Sequence, residues 1–210
     1  MPIINLKSNQ TDNPYCMPKC LSIVLARYGY EMSFKDFYTV TGQPVEKDGL
    51  NIDAAYFASK LGFRVDCFAY NFEFTSPHDA QTSQIELLGV LRKRLTEETF
   101  LDDKILSAVI RAMESGVNYH IEQPSWASLK NYLDQSIPII VGVTRAALYG
   151  ARGNPYEGHD IVLMSYKNRS VTFLDPMFPS EQIINVDTLM FAIMSRKIIA
   201  IDCYAVVVKK

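Results

Sequence analysis

The sequence lacks most of the residue patterns that mark metal, nucleotide or membrane proteins. Its three histidines are scattered, and its cysteines do not form two pairs at zinc-ligand spacing, so no metal site is predicted. There is no glycine-rich phosphate loop, and we expect no cofactor. No apolar run of about eighteen residues occurs, so no membrane span is predicted.

An excess of charge of one sign is also missing. The 21 Lys and Arg residues face 23 Asp and Glu residues, for a formal net charge of −2. The densest basic run, at 92–94, is followed at once by Glu97 and Glu98, which indicates a solvated helix face and no nucleic-acid partner. The start, MPIINLKSNQTDNP, has no apolar signal region, so the cytoplasm is the default prediction, with export by another route left open. Nothing in the sequence indicates an oligomeric state.

The 210 residues, 48% of them hydrophobic, suffice for one domain with a substantial core. Helical patterns occur at 17–28, 33–40, 51–61, 125–135 and 186–196, with Ser33, Asn51 and Ser125 as caps. Strand patterns occur at 63–70, at 137–143, in a hairpin of 158–166 and 170–175, and at 198–208. Helices followed by an antiparallel sheet predict an α+β fold. Between them, residues 71–123 predict a helical insertion, with helices at 84–94 and 101–114, on a single domain of residues 1–210.

Cys16 stands at the start of the first predicted helix. The positive end of the helix dipole favours a thiolate, which is the form that a nucleophilic cysteine needs. A capping or buried cysteine is the ordinary alternative. Cys20, one turn further along the apolar face, is expected to be buried and inert. Cys67 and Cys203, in strand-like apolar contexts, are expected to be separate buried side chains.

Three other residues can complete a nucleophilic site. His159 begins a predicted strand behind a loop rich in Gly and Pro, where it can act as a general base. Asp175, which ends the paired strand, can accept the imidazole N–H and fix its tautomer. Gln10, six residues before Cys16, can donate to an oxyanion. Each also has an ordinary interpretation: His159 as a structural histidine, Asp175 as part of an Asp-Pro turn, and Gln10 as an amide without a role in a site. His78 and His120 are expected to be surface residues.

Together these motifs resemble the bacteriocin-processing cysteine peptidases, which cut double-glycine leaders. That family has Gln, five residues, Cys-Gly-Pro-Ala-Cys-Leu, and a helix ending in Tyr-Gly. This chain has Gln10, then CMPKCL from Cys16, then YG at 28–29. A Pro-Val-Ile-Val strand, Gly-His and Asp-Pro follow in the family, and IPIIV at 137–141, GH at 158–159 and DP at 175–176 match them. The resemblance covers nearly the whole chain except about 71–123.

The resemblance implies a papain-like cysteine peptidase fold, with an N-terminal nucleophile helix packed on a C-terminal antiparallel sheet. It implies a cysteine peptidase in which Cys16 attacks a peptide or amide carbonyl, His159 moves the proton and Asp175 orients His159. Gln10 and the Cys16 backbone N–H would form the oxyanion hole. The implied partner is a peptide or protein substrate, and no cofactor is needed. Two alternatives are an acyl- or peptidyl-transferase with the same triad and a catalytically idle peptide-binding module.

Two further expectations concern access to Cys16. Met17 and Lys19 stand where the family has glycine and alanine, so we expect Met17 to narrow the site or close it over an apolar group of the substrate. The segment 144–157, TRAALYGARGNPYE, is long for a connection between two strands and leads directly into His159. It is therefore predicted to be a lid or substrate wall over Cys16.

Overall fold

The computed structural model describes residues 15–44, 49–97, 103–150, 158–178, 180–198 and 203–210. Its helices are α1 (Cys16–Arg27), α2 (Phe34–Thr41), α3 (Asn51–Lys60), α4 (Gln84–Glu97), α5 (Asp103–Glu114), α6 (Trp126–Asp134), α7 (Arg145–Tyr149) and α8 (Val186–Met194). Its strands are β1 (Arg64–Ala69), β2 (Asn118–Ile121), β3 (Ile139–Thr144), β4 (Gly158–Lys167), β5 (Ser170–Leu174), β6 (Glu181–Asn185) and β7 (Ala205–Lys209). Short 3-10 helices cover Asp79–Gln81 and Ser195–Ile198.

The seven strands form one sheet in the order β2-β1-β7-β3-β4-β5-β6. All the pairings among these described strands are antiparallel except that of β1 with β2, which is parallel. The predicted α+β class is confirmed. Strands β2 and β6 are missing from the sequence prediction, because both are short and lie at the edges of the sheet, where half-exposed residues give little hydrophobic contrast.

Helices cover both faces of the sheet, and the alternation of side chains along each strand assigns each residue to a face. In β4, Val162 packs in the core beneath α1 and α3, while Ile161 and Leu163 pack in a second core beneath α6 and α8. The strand is thus buried on both sides. Helices α4 and α5 of the segment 71–123 extend the first core, and β2 joins the sheet. The description of this segment as an insertion stays a prediction.

Helix α1 begins at Cys16, directly after Tyr15 in an extended conformation (φ −88°, ψ 134°). The helix ends before Gly29, whose φ of +80° is accessible to glycine at little cost. Met17 is fully buried, and its Cε would lie 2.8 Å from a Cβ added at Gly49. The expectation that the Met17 side chain narrows the site is therefore wrong, because this side chain is directed into the core beside Gly49.

Two local predictions are corrected near α3. Leu50, and not Asn51, occupies the cap position, and the Asn51 amide instead donates to the carbonyl of Cys203 (3.2 Å). Cys67 and Cys203 are both fully buried, as predicted, but they are not separate. The structure pairs their sulfur atoms, with Cα atoms 6.5 Å apart, a separation that a disulfide accommodates. The pairing arises because β1 and β7 are neighbours in the sheet, which the sequence does not reveal.

The buried carboxylate of Asp66 on β1 connects this strand with β2, α6 and β7 through hydrogen bonds. It accepts hydrogen bonds from Asn118 Nδ2 (3.1 Å), from the Tyr132 hydroxyl (2.9 Å) and from Lys209 Nζ. His120 Nε2 lies 3.6 Å from the same carboxylate, and the ring stacks on Phe68. His120 is thus half-buried at the surface, on β2 and not in the irregular stretch that the sequence predicts, while His78 is exposed as predicted.

We expect replacement of Asp66 by alanine to lower the free energy of unfolding by about 2–4 kcal/mol, because buried donors lose their acceptor. Burial acts to raise the pKa of Asp66, but the hydrogen bonds outweigh it and hold that pKa below its ordinary value. The stabilisation is therefore complete above a pH of about 4 and is lost as the pH falls further. Urea unfolding of both proteins between pH 7 and pH 3 measures this.

The matched control is Asp187→Ala, which removes an ion pair with Arg169 (2.6 Å) in which both side chains are mostly exposed. Solvent screens such a pair, so the loss should be much smaller. Equal losses of unfolding free energy in the two variants, or a loss for Asp66→Ala that does not change with pH, would contradict this account of Asp66.

None of the helices in the described ranges combines the length and apolar character that crossing a membrane requires.

Candidate active site

His159 and Asp175 form a buried hydrogen-bonded pair. The Nε2 atom of His159 lies 2.8 Å from Oδ2 of Asp175, and both side chains are almost inaccessible to solvent. Strand β4 supplies His159 and the turn after β5 supplies Asp175, so the β4–β5 hairpin brings them together. Asp175 also accepts the backbone N–H of Met177 (2.8 Å), which fixes the carboxylate in its Asp-Pro turn. The predicted contact between these two residues is thus present.

Tyr149 is a third member of this group that the sequence does not identify. Its hydroxyl donates to Oδ2 of Asp175 over 2.5 Å, the same oxygen that His159 uses. Burial acts to raise the pKa of Asp175, but the hydrogen bonds from His159 and Tyr149 hold it below its ordinary value. Burial and the bond to Asp175 raise the pKa of Tyr149, so this hydroxyl remains a donor at neutral pH.

Tyr149 ends helix α7, which occupies the first part of the predicted lid. The Tyr149 ring also contacts the ring of Phe178 edge-on, with centroids 5.6 Å apart. The first part of the segment is therefore ordered against Asp175 and the turn that follows it. Residues 151–157 lie outside the described ranges, so the lid over Cys16 stays a prediction.

The thiol of Cys16 contacts the residue that follows His159. Its Sγ donates to Oδ2 of Asp160 over 3.2 Å, and only 7% of Cys16 is exposed. Asp160 is 4% exposed and also accepts from Nη1 of Arg196 over 3.0 Å. A buried chain of three side chains, Cys16–Asp160–Arg196, therefore links α1, β4 and the 3-10 helix after α8.

Arg196 occupies space that Gly142 leaves free, and it lies in ordinary contact distance of Gly158. A Cβ added at Gly142 of β3 would lie 1.7 Å from Nη1 of Arg196, a distance that excludes any larger residue while the guanidinium stays in place. A Cβ added at Gly158 of β4 would lie 3.5 Å from Nε of the same side chain. The guanidinium thus lies close to the backbone of two adjacent strands, within reach of Asp160.

The four predicted site residues fall into two neighbouring groups and one residue outside the described ranges. Cys16 is joined to Asp160, and His159 is joined to Asp175. Successive side chains of a strand alternate between faces, so His159 and Asp160 point away from each other at the start of β4. This part of β4 pairs with β3 but not yet with β5, whose register begins at Val162. Gln10 lies outside the described residues.

The comparisons with known proteins decide the family. A model described as the Peptidase_C39 like family matches residues 6–197, which is most of the chain and includes all four predicted site residues. The chain belongs to this family. Among the curated proteins, no sequence matches. Membership confirms the resemblance drawn from the sequence motifs and fits the papain-like α+β fold.

Membership in the Peptidase_C39 like family indicates a cysteine peptidase-like protein. The family match covers the sequence motifs around Cys16, His159 and Asp175, whereas Tyr149, Asp160 and Arg196 are recognised only from the structure. The Asp after the Gly-His motif is visible in the sequence, but nothing in the sequence pairs it with a residue 36 positions later. Among the described residues, no group of three or more His, Cys, Asp or Glu side chains is arranged to hold a metal ion.

We expect Tyr149→Phe to lower turnover about tenfold, because Asp175 loses a donor and His159 loses part of its fixed orientation. The bond from Tyr149 lowers the pKa of Asp175, so its removal should move the acid limb of the activity profile to higher pH. The measurement is kcat/KM against pH. Tyr166→Phe is the matched control, since its hydroxyl donates to the exposed Asp134 (2.8 Å). Unchanged profiles in both variants would exclude this role for Tyr149.

Proposed function

We propose that the protein is a thiol enzyme that acts on a peptide or amide bond through Cys16, His159 and Asp175. The observation that carries the proposal is the buried bond from His159 Nε2 to Asp175, which leaves Nδ1 as the ring nitrogen available to the thiol. Asp160, the partner of the thiol, follows His159 directly in β4, so the thiol contacts the same strand that carries the imidazole. Family membership supports the same reaction class.

The arrangement suggests how the thiol reaches the base. Cys16 is the first residue of α1, and His159 lies on the part of β4 that has no β5 neighbour. In the proposed reaction the thiol would leave Asp160 and pass the edge of β4 at this position to reach Nδ1 of His159. The positive end of the α1 dipole would then stabilise the thiolate.

The proposed reaction has two halves. The thiol proton passes to Nδ1 of His159, and the thiolate attacks the carbonyl carbon, forming a C–S bond. The oxyanion accepts hydrogen bonds from the backbone N–H of Cys16 and from Gln10. The imidazolium then protonates the leaving amine, and a thioester remains. Attack by water completes hydrolysis, whereas attack by an amine completes acyl or peptidyl transfer.

One observation favours a second candidate, a catalytically idle module that binds a peptide. The thiol donates its hydrogen bond to the carboxylate of Asp160, and only 7% of Cys16 is exposed. A protein that only retains the fold could keep its cysteine in this state. The cytoplasmic location and the peptide or protein partner stay predictions from the sequence.

The experiment is incubation of the full chain with a mixture of unblocked peptides, with and without an added primary amine, followed by mass spectrometry. Hydrolysed peptides support a peptidase, and amine adducts support a transferase. Both products should vanish in Cys16→Ala and persist in Cys20→Ala. Binding of peptides without any product in the wild-type chain would support the idle module.

A further inference from the structure

The Cys16–Asp160–Arg196 chain connects the thiol to a negative charge on Asp160 and, through it, to a positive charge on Arg196. Asp160 accepts from the thiol through Oδ2 and from Arg196 through Oδ1, so one carboxylate connects the sulfur and the guanidinium. All three side chains are largely shielded from solvent, and the Arg196 side chain is 17% exposed. Charges at such distances in a poorly solvated site interact strongly enough to change an ionisation equilibrium.

We infer that Asp160 and Arg196 are positioning residues that control the ionisation of Cys16: Asp160 holds the resting thiol protonated, and Arg196 limits this effect by neutralising the carboxylate. A carboxylate that accepts the S–H hydrogen bond favours the thiol over the thiolate, both through that bond and through like-charge repulsion. The arginine offsets the repulsion. A role of Asp160 and Arg196 in catalysis rests on the proposed function, but their effect on the ionisation of Cys16 does not.

The local structure is adapted to this ion pair. Arg196 comes from the helix turn that follows α8, and it reaches Asp160 in this position because Gly142 carries no side chain. Gly142 is the direct partner of Asp160 in the β3–β4 register. A guanidinium next to the backbone of two strands has little freedom to move, which fixes the position of the Asp160 carboxylate beside the thiol.

Other charged groups near the thiol act in the opposite direction from Asp160. His159, the preceding residue of β4, would stabilise a thiolate that reaches it when its imidazole is protonated. The N-terminus of α1 supplies the positive end of a helix dipole at Cys16 itself. Asp160, by contrast, brings a negative charge within hydrogen-bonding distance of the sulfur. The reactivity of the thiol therefore depends on how completely Arg196 neutralises Asp160.

The test measures the rate of Cys16 alkylation by iodoacetamide against pH, with peptide mapping to read Cys16 separately from the other cysteines. Asp160→Asn keeps an acceptor for the thiol but removes the negative charge. It should shift the pH midpoint of alkylation down by about one unit, so that alkylation well below the midpoint becomes about tenfold faster. Arg196→Gln leaves Asp160 unneutralised and should shift the midpoint up by a similar amount.

Opposite shifts in the two variants distinguish charge control from a structural role, since general loosening of the site would move both midpoints in the same direction. Arg196→Lys keeps the charge and should stay closer to the wild-type midpoint than Arg196→Gln. Should Asp160→Asn not fold, the comparison of Arg196→Gln with Arg196→Lys still decides. Equal midpoints in the wild type and the folded variants, or shifts in one direction only, would overturn the inference.

This readout separates the inference from the proposed function. A protein without peptidase or transferase activity would still show the opposite shifts if Asp160 and Arg196 control the thiol. If the protein is active but neither substitution shifts the pH midpoint of Cys16 alkylation, the inference about Asp160 and Arg196 is refuted. The proposed reaction is then unaffected. Circular dichroism and thermal unfolding of each variant confirm that the fold is preserved before rates are compared.

Discussion

Replacement of Cys16 by alanine should lower turnover by at least about 10⁴-fold, because no other group can form the thioester. Cys16 is the first residue of α1 and its thiol donates to Asp160; alanine keeps the Cβ and suits a helix, so the substitution should change the packing little. The free energy of unfolding should change by about 1 kcal/mol or less. Steady-state kinetics on a peptide substrate and urea unfolding measure the two effects.

Cys20→Ala provides the matched control, since it makes the same chemical change one helical turn away. Cys20 is fully buried in the core beneath α1, as the sequence predicts. Its replacement should cost some stability by leaving a small cavity but should leave turnover close to wild type. Loss of activity in Cys20→Ala together with retained activity in Cys16→Ala would show that the nucleophile is Cys20 and not Cys16.

Replacement of His159 by alanine should lower turnover by about 10³–10⁴-fold, because the thiol loses the group that accepts its proton and protonates the leaving amine. Asp175 would keep its bonds to Tyr149 and to the backbone of Met177, so the turn should remain in place. The expected result is a fall in kcat at every pH. Single-turnover kinetics on a peptide substrate measure it.

His120→Ala is the control for this variant, because His120 also lies near a buried aspartate, Asp66. It lies on β2, an edge strand separated from β4 by three other strands, and its replacement should affect stability but not turnover. If His159→Ala and His120→Ala reduced turnover equally, the loss would reflect damage to the sheet. The proposed base would then have no support.

The sequence predicts those parts of the site that depend on local structure. The start of a helix at Cys16, the Gly-His strand start and the Asp-Pro turn each follow from short motifs, and a hairpin is sufficient to bring His159 to Asp175. These features need no knowledge of distant contacts. For the same reason the caps of α2 and α6, at Ser33 and Ser125, are predicted correctly.

The parts that the sequence does not predict depend on the register between distant strands. Arg196 reaches Asp160 because Gly142 pairs with Asp160 across β3 and β4, and a single-residue shift would remove the space for the guanidinium. The pairing of Cys67 with Cys203 likewise needs β1 beside β7. Met17 shows a further limit, since a helix position adjacent to the nucleophile does not reveal whether its side chain enters the core.

The most direct test of the central claim, that Cys16 and His159 act together on a peptide carbonyl, uses a peptide that carries an electrophilic ketone as its terminal group. The full chain is incubated with this probe at pH 7, and the modified residue and the rate are read by peptide mass spectrometry. The account predicts an adduct on Cys16 whose formation slows by at least about tenfold in His159→Ala. An adduct on another cysteine, or an equal rate in His159→Ala, would contradict it.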